Sequence, residues 1–389
     1  MAIIDIIRLD RKGDQVATIV ALIPAYNEEE SIGATIEALF RQDRVPDRIV
    51  VIPNGCTDRT AEIARSYLVE KSRLIVMELP KLDHKKSEAL NTAWEAYAQS
   101  MDLVICLDAD TILPPNAVAE WEKEFAADDK LGGSSSKFTM LGHNFWTRLQ
   151  RSEFAKWTDT ALRRGYTTVL AGTGCAISNK ALHEVVDTTG RKGPWSYDSQ
   201  VEDFELTYKI RELGYKCQVS PMVRAYTDSM TSVRALWGQR MKWQVGTVED
   251  LMALGVNKLT RIDWWQQFVG LFMSFIRALW MTMFTIQIAL GQMAFHTFWW
   301  LVVPLFFAVG EGLQSLRIPH KDKIDVLMGF TIVPSEIFAT VRSAWFVAAW
   351  VEVLWSMLTG GRKDRWELQY KAEGNAPRPS APLKVLGGN

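Results

Sequence analysis

At 389 residues the chain exceeds one ordinary domain, and a composition that is 48% hydrophobic and 23% charged is that of a protein burying a large core. A formal net charge of −1 leaves no basic footprint, which argues against a nucleic-acid partner. Cys56, Cys106, Cys175 and Cys217 are scattered without CxxC spacing, so neither a zinc site nor a disulfide framework is expected.

The amino terminus MAIIDIIRLDRKGDQ has no long apolar stretch of the signal-peptide kind, so the bulk of the chain is expected to stay cytosolic. From Val16, short β-rich runs alternate with helical ones: VATIVALIP, EESIGATIEALFRQ, RIVVIP, DRTAEIARSYLVE, RLIVMEL, SEALNTAWEAYAQ and LVICLD. This repeated βα pattern predicts a mainly parallel sheet with helices on both faces. PAYNEE, PNGCTD and DADTILPP follow three of the strands and put polar groups on one rim. An open α/β sheet binds ligands outside the carboxyl ends of its strands, so this rim is the expected nucleotide site.

Asp108 and Asp110 end the run MDLVICLDAD. Successive strand residues alternate faces, so this pair belongs at or beyond the strand's end. An Asp-x-Asp there suits Mg²⁺ or Mn²⁺, which takes one or two carboxylates and completes its shell with water and phosphates. A solvated turn with Asp110 as a helix cap is the bland alternative. Further on, GGSSSKF, a helical stretch around FWTRLQRSEFAKWTDTALRRG and the glycine-bearing TVLAGTGCAIS are less regular. In VEDFELTYKI, Glu202 and Asp203 open a helix, either as caps stabilised by its dipole or as a general base. In QRMKW, Arg240 and Lys242 offer donors to phosphate and Trp243 a flat face to a sugar or base, or the segment lies at a headgroup surface.

Phe268 to Leu290 carries one charge, Arg277, and Met293 to Gly310 none apart from His296. Each approaches the roughly 20 apolar residues that cross a bilayer. Trp264, Trp265, Trp280, Trp299 and Trp300 crowd this region, several near the ends where amphipathic rings favour the interface. A membrane hairpin turning around Gly291 and Gln292 is expected. Ile324 to Leu358, interrupted by Pro334, Glu336, Arg342 and Glu352, is expected to be interfacial or a second, poorer hairpin. Arg317, Lys321 and Lys323, then Arg362, Lys363 and Arg365, favour cytosolic loops and cytosolic termini. Residues 1–260 form the cytosolic domain in this reading, 261–360 the transmembrane and interfacial helices, and 361–389 a largely disordered Pro/Gly-rich cytosolic tail.

Taken together and in this order, these motifs resemble the membrane-bound family-2 glycosyltransferases of the GT-A fold, relatives of cellulose and hyaluronan synthases. The resemblance implies that Ala25, Tyr26 and Glu28 lie near the nucleotide base, with Asn54 and Asp58 as the polar positions of the second donor segment. It implies Lys86 of KKSEALN as a partner of the nucleotide or its diphosphate, with Lys85 where the family has glycine. Asp108 and Asp110 become the nucleotide-sugar and metal motif, Asp203 with Glu202 the catalytic carboxylates, and Gln239, Arg240, Lys242 and Trp243 the Gln-x-x-Arg-Trp motif, Lys242 holding the arginine's place. Gly172, Thr173 and Gly174 would border the acceptor. The implied activity is inverting, Mg²⁺- or Mn²⁺-dependent transfer from a nucleotide sugar, UDP by resemblance with GDP open. The acceptor would be a membrane-associated lipid, glycan or protein. Two to four crossings make a thin wall for a polymer channel, so one or a few additions are expected of a protomer, although an oligomer could build a pore. A processive polysaccharide synthase and a non-catalytic membrane-tethered binder remain as competing readings. A nucleotidyltransferase would favour a glycine-rich phosphate loop where PAYNEEE stands.

Overall fold

The computed structural model describes residues 17–140, 142–291 and 293–374. The expectations about a signal peptide and about the end of the tail fall on residues 1–16 and 375–389, outside the described residues.

β1 (Ile19–Ala25) is buried along its whole length because its run IVALIPA is apolar on both faces, as a central parallel strand requires. The chain then alternates through α1 (Ile32–Phe40), β2 (Arg48–Pro53), α2 (Thr60–Ser66), β3 (Leu74–Val76), α3 (Lys85–Tyr97) and β4 (Leu103–Cys106). After α4 (Ala117–Ala127) come β5 (Leu131–Thr139), α5 (Phe145–Arg164), β6 (Cys175–Ser178), α6 (Asn179–Thr189), α7 (Glu202–Glu212) and β7 (Lys216–Tyr226). The seven strands form one sheet in the order β3-β2-β1-β4-β6-β5-β7. Only β6 runs against its neighbours, so the expected mainly parallel α/β sheet is present.

Alternation along β1 divides the core in two. Ile19, Ala21 and Ile23 pack under α1, α2 and α4 with Ile36, Ala64 and Trp121, whereas Val20 and Leu22 pack under α3, α6 and α7 with Trp94, Leu182 and Leu206. β1 lies between β2 and β4, where the strand order reverses, and the crevice beyond those carboxyl ends is where an open α/β sheet receives a ligand. Asp108 and Asp110 sit there, past Cys106, the last residue of β4.

The carboxyl-terminal third is helical: α8 (Val233–Leu254), α9 (Arg261–Ala289), α10 (Met293–Ser315), α11 (Lys323–Phe330), α12 (Ile332–Thr359) and α13 (Arg365–Glu373). α9 and α12 are long and apolar enough to cross a membrane, with mean hydropathies of 1.6 and 1.5 over their most apolar windows. α10 follows α9 after a tight turn at Gly291, and Trp300 packs against Trp280 and Phe284, but among the described residues α10, the second limb of the expected membrane hairpin, is not one of the helices long and apolar enough to cross. The side chains of residues 293–299 lie outside the described residues.

The third apolar stretch differs from both expected forms. It is a short helix followed by one continuous 28-residue helix, with no second hairpin. Pro334 does not interrupt α12 because it falls in the first turn, where no amide bond to a preceding carbonyl is lost. Glu336 is tolerated because Arg277 of α9 pairs with it. α12 runs antiparallel to α9, Trp350 meeting Gln267 at 3.1 Å near one end while Glu336 meets Arg277 farther along. It also packs on α5 and α8, where Phe338, Trp345 and Val353 join Leu149, Leu236 and Val245.

Candidate active site

The turns after β1 and β2 are tied to each other. The Ala25 carbonyl accepts from the backbone amide and the side-chain Nδ2 of Asn54, at 3.0 and 3.2 Å, so Asn54 acts as a brace between strands. Asp58 accepts from the amides of Glu29 and Thr60 at 3.1 and 3.0 Å, and the Thr60 hydroxyl accepts from the Glu28 amide at 2.7 Å. Burial pushes the Asp58 carboxyl up, but its hydrogen bonds with Thr60 and Glu29 outweigh this and hold it below its ordinary value. The Glu28 carboxylate accepts from Ser31 at 2.8 Å. The two donor segments singled out from sequence are therefore one continuous polar rim.

Beyond β4 lies a cluster of opposed charges. The Lys86 ammonium, at the start of α3, is 2.7 Å from Asp108 and 3.2 Å from Glu202. Lys85, in the position where the resemblance has glycine, adopts φ +46°, the left-handed conformation glycine tolerates best, and this local twist delivers Lys86 into the cleft. The Gly172 carbonyl accepts from the Asp108 amide at 2.8 Å, and Gly172 lies so close that a Cβ there would stand 2.5 Å from the Lys86 ammonium and 3.0 Å from an Asp108 oxygen.

Glu202 and Asp203 occupy the first turn of α7, whose cap residue Val201 supplies no side-chain bond. Asp203 accepts from the Phe204 amide at 2.8 Å. Burial, then the neighbouring Glu202, push the Asp203 carboxyl up to about 6, against the pull of Lys86 and Lys242. Lys86 is held well above its ordinary value: burial opposes its charge, but Asp108, Glu202 and Asp203 outweigh burial. Burial pushes Lys242 down to about 8, with Glu202 and Asp203 acting in the other direction. A carboxylate titrating near neutrality beside two cations is what a general base in a cleft needs.

Asp110 lies on the far side of Asp108 and receives the Thr227 hydroxyl at 3.3 Å. Among the described residues no group of three His, Cys, Asp or Glu side chains is placed to hold a metal. Two carboxylates one residue apart still fit Mg²⁺ or Mn²⁺, because such an ion takes most of its shell from water and donor phosphates. Thr173 keeps a buried hydroxyl without a hydrogen-bond partner, and Gly174, at φ +113°, continues the small-residue wall.

The QRMKW segment is divided by its helix. Residues two apart on a helix face nearly opposite ways, and on α8 Arg240 and Lys242 do so. Lys242 turns toward the acidic cluster. Arg240 is enclosed by the rings of Phe154, Trp157 and Trp243, at 5.1, 5.2 and 4.5 Å, and pairs with Glu153 at 2.8 Å. Gln239 holds a buried carbonyl oxygen with no hydrogen-bond partner.

Sequence reasoning missed α13, whose residues it assigned to the tail. α13 lies over the cleft: Trp366 covers Lys242 at 3.1 Å from the ring centre, Tyr370 meets Tyr26 at 4.7 Å between centroids, and Asp364 pairs with Lys85. The signal was present in DRWE, where Asp364 caps the helix by accepting from the Glu367 amide at 3.0 Å, the pattern of a helix start.

Comparison with known proteins agrees with this geometry. Among solved structures, a mannosyltransferase from Pyrobaculum calidifontis, determined with GDP-mannose and Mn²⁺, superposes with a TM-score of 0.54 over 88% of both chains at 17% identity, a likeness of fold. The poly-β-1,6-N-acetyl-D-glucosamine synthase of Staphylococcus aureus strain COL is 27% identical over 249 residues, covering 61% of this chain and 57% of that one. The synthase of the same name from Staphylococcus epidermidis is 26% identical, covering 61% and 56%. The chain thus matches little more than half the length of these relatives. The profile of one family spans residues 103–311, from β4 and the Asp-x-Asp rim through α7 and into α10, and with more than half of its length so matched the chain belongs to glycosyl transferase family group 2.

Proposed function

We propose that the protein is a membrane-bound, inverting glycosyltransferase that moves one sugar from a nucleotide diphosphate to a membrane-associated acceptor. The observation that carries this reading is Asp203, a carboxylate with a pKa of about 6 in the charged cleft formed by Lys86, Asp108 and Glu202. In the step, Asp203 takes the acceptor hydroxyl proton while that oxygen attacks the anomeric carbon. The bond from that carbon to the diphosphate oxygen breaks on the opposite face, and the configuration inverts. One base with no positioned nucleophile favours this single displacement. Lys86 and Lys242 would stabilise charge on the departing diphosphate. Asp110 with Asp108 would hold the divalent ion, which supplies neutralisation of that charge when bound. Ala25, Tyr26, Glu28 and Asn54 would frame the base, and Gly172, Thr173, Gly174 and Trp243 would border the acceptor.

The test is a panel of UDP- and GDP-sugars offered to the detergent-solubilised chain, read by released nucleotide diphosphate. Transfer or hydrolysis of one donor supports the reading, and inertness over the panel supports a non-catalytic binder. UDP is the first choice; the mannosyltransferase neighbour with GDP-mannose makes GDP the second. Asp110→Ala is expected to weaken nucleotide diphosphate binding by about tenfold or more in Mn²⁺ and to leave binding in chelator unchanged. Titration calorimetry with and without Mn²⁺ checks this, and equal metal dependence in both proteins would remove Asp110 from the ion.

The domain division is proposed with one change from the sequence expectation: residues 365–373 belong with the catalytic domain. The ion pair between Asp364 and Lys85 supports this, since it keeps the end of α12 on the catalytic side. That placement supports an even number of crossings; a cytosolic catalytic domain and placement in the cell membrane are part of the proposal, and a reporter after Asn389 found only outside the cell would overturn them. The names of the staphylococcal relatives favour a second reading, processive polymer synthesis. Long polymer made in vesicles by the purified chain would decide for it.

A further inference from the structure

Where α5 meets α10, α11 and α12, away from the acidic cluster, a small solvent-open cleft of about 50 Å³ has polar walls of Ser152, Lys156, Ser335 and Arg342 and apolar walls that include Met328 and Phe338. Its charges are almost all committed. Arg148 pairs with Asp322 and Asp325 at 2.6 and 2.9 Å, Arg151 with Asp325 at 2.6 Å, Lys156 with Glu311, and Arg240 with Glu153 at 2.8 Å. Five cations therefore face four carboxylates when Arg342 is included, and Arg342 has no paired carboxylate among the described residues. The same holds along α12: Glu336 is paired with Arg277 and Glu352 with Lys363 and Arg365, which leaves Arg342 as the uncompensated charge of an apolar 28-residue helix. Arg342 also lies near enough to Arg240 for their charges to repel, and the Arg240 guanidinium, 3% exposed, has Glu153 as its paired carboxylate. Arg342 is exposed at the mouth of the cleft, where its guanidinium is free to meet an incoming anion.

We propose that this cleft binds the phosphate of a lipid, with Arg342 as its principal donor, Ser335 and Ser152 as hydrogen-bonding partners, and the acyl or prenyl chain lying along Phe338 and Met328 toward the exposed apolar surface of α9. A guanidinium is matched to phosphate oxygens, and the mixed walls match a molecule with one anionic and one apolar end. The proposal rests on the membrane placement of α9 and α12 and not on the transferase chemistry, so its test uses no sugar donor. The full chain in neutral detergent is titrated separately with dioleoyl phosphatidic acid, dioleoylglycerol and inorganic phosphate, with bound lipid or ion counted by native mass spectrometry. Expected are one saturable phosphatidic acid site, weaker binding of the other two by about tenfold or more, and about tenfold loss on Arg342→Gln with partial recovery in Arg342→Lys. Lys321→Gln, which removes an exposed cation of the neighbouring loop, is expected to bind as wild type. Equal binding by Arg342→Gln, by dioleoylglycerol or by inorganic phosphate would overturn the proposal, as would an equal loss in Lys321→Gln, which would mark diffuse attraction in place of a site.

Discussion

Asp203→Asn is expected to lower turnover by about a hundred- to ten-thousandfold while leaving nucleotide diphosphate affinity within about twofold. The amide keeps the shape of the side chain and its place in the first turn of α7 but cannot take a proton from an acceptor. Donor binding would be spared because, in the proposed arrangement, Lys86, Asp108 and Asp110 hold the diphosphate and its ion. The wild-type rate carries a second signature of the same group. A base must be unprotonated, and Asp203 titrates near 6, so kcat/KM should fall about tenfold for each pH unit below that value and level off above it. Glu202 and Asp203 influence each other's protons, so the limb belongs to the pair. Released nucleotide followed from pH 5 to 8, with donor affinity measured alongside, tests both points. Near-normal turnover in Asp203→Asn would take the base role from Asp203.

The first half of this architecture was legible because parallel strands buried on both faces need long apolar runs, and IVALIPA, RIVVIP and LVIC can be little else. The rim was legible for the complementary reason: polar turns break those runs at the same end of each strand. β5 was not. LGGSSSKFT has a single β-branched residue, Thr139 at its end, yet it is a strand whose neighbours demand small side chains: a Cβ on Gly133 would stand 2.3 Å from Leu170, and one on Gly132 2.5 Å from Ile210. Tertiary packing overrides propensity there. The motif QRMKW was legible as a motif, but which of its cations reaches the cleft depends on the rotational setting of α8, which Glu153, Phe154 and Trp157 fix from a distance in sequence. α13 was hidden for a different reason. Its residues are polar enough to pass for a tail, and its two aromatics, Trp366 and Tyr370, have partners, Lys242 and Tyr26, that lie far away along the chain.

Lys86→Gln is expected to impair the protein in a way that deepens as pH rises. Lys86 is the cation between Asp108 and Glu202, and it also holds down the pKa of Asp203. Without it three carboxylates share one cleft with Lys242 as their nearest cation, and an opposite charge at such range lowers a carboxyl pKa by about one to three. The acid limb of kcat/KM should therefore move up from about 6 by about that amount, and the base would be protonated over much of the neutral range. Stability follows the same groups. Carboxyls whose folded pKa is raised above the unfolded value stabilise the fold at acid pH, and that contribution is lost as pH rises through the folded pKa. The variant should thus melt close to wild type near pH 5 and several degrees below it at pH 8. Lys86→Arg, which keeps the charge, should restore most of the melting temperature and the position of the limb while losing donor affinity, because its planar fork is longer than the space beside Gly172 allows. The informative comparison is between the two readouts in Lys86→Gln. A limb that stays at its wild-type position while the melting temperature falls would make Lys86 a structural brace only, and a limb that moves ties it to the proton of Asp203.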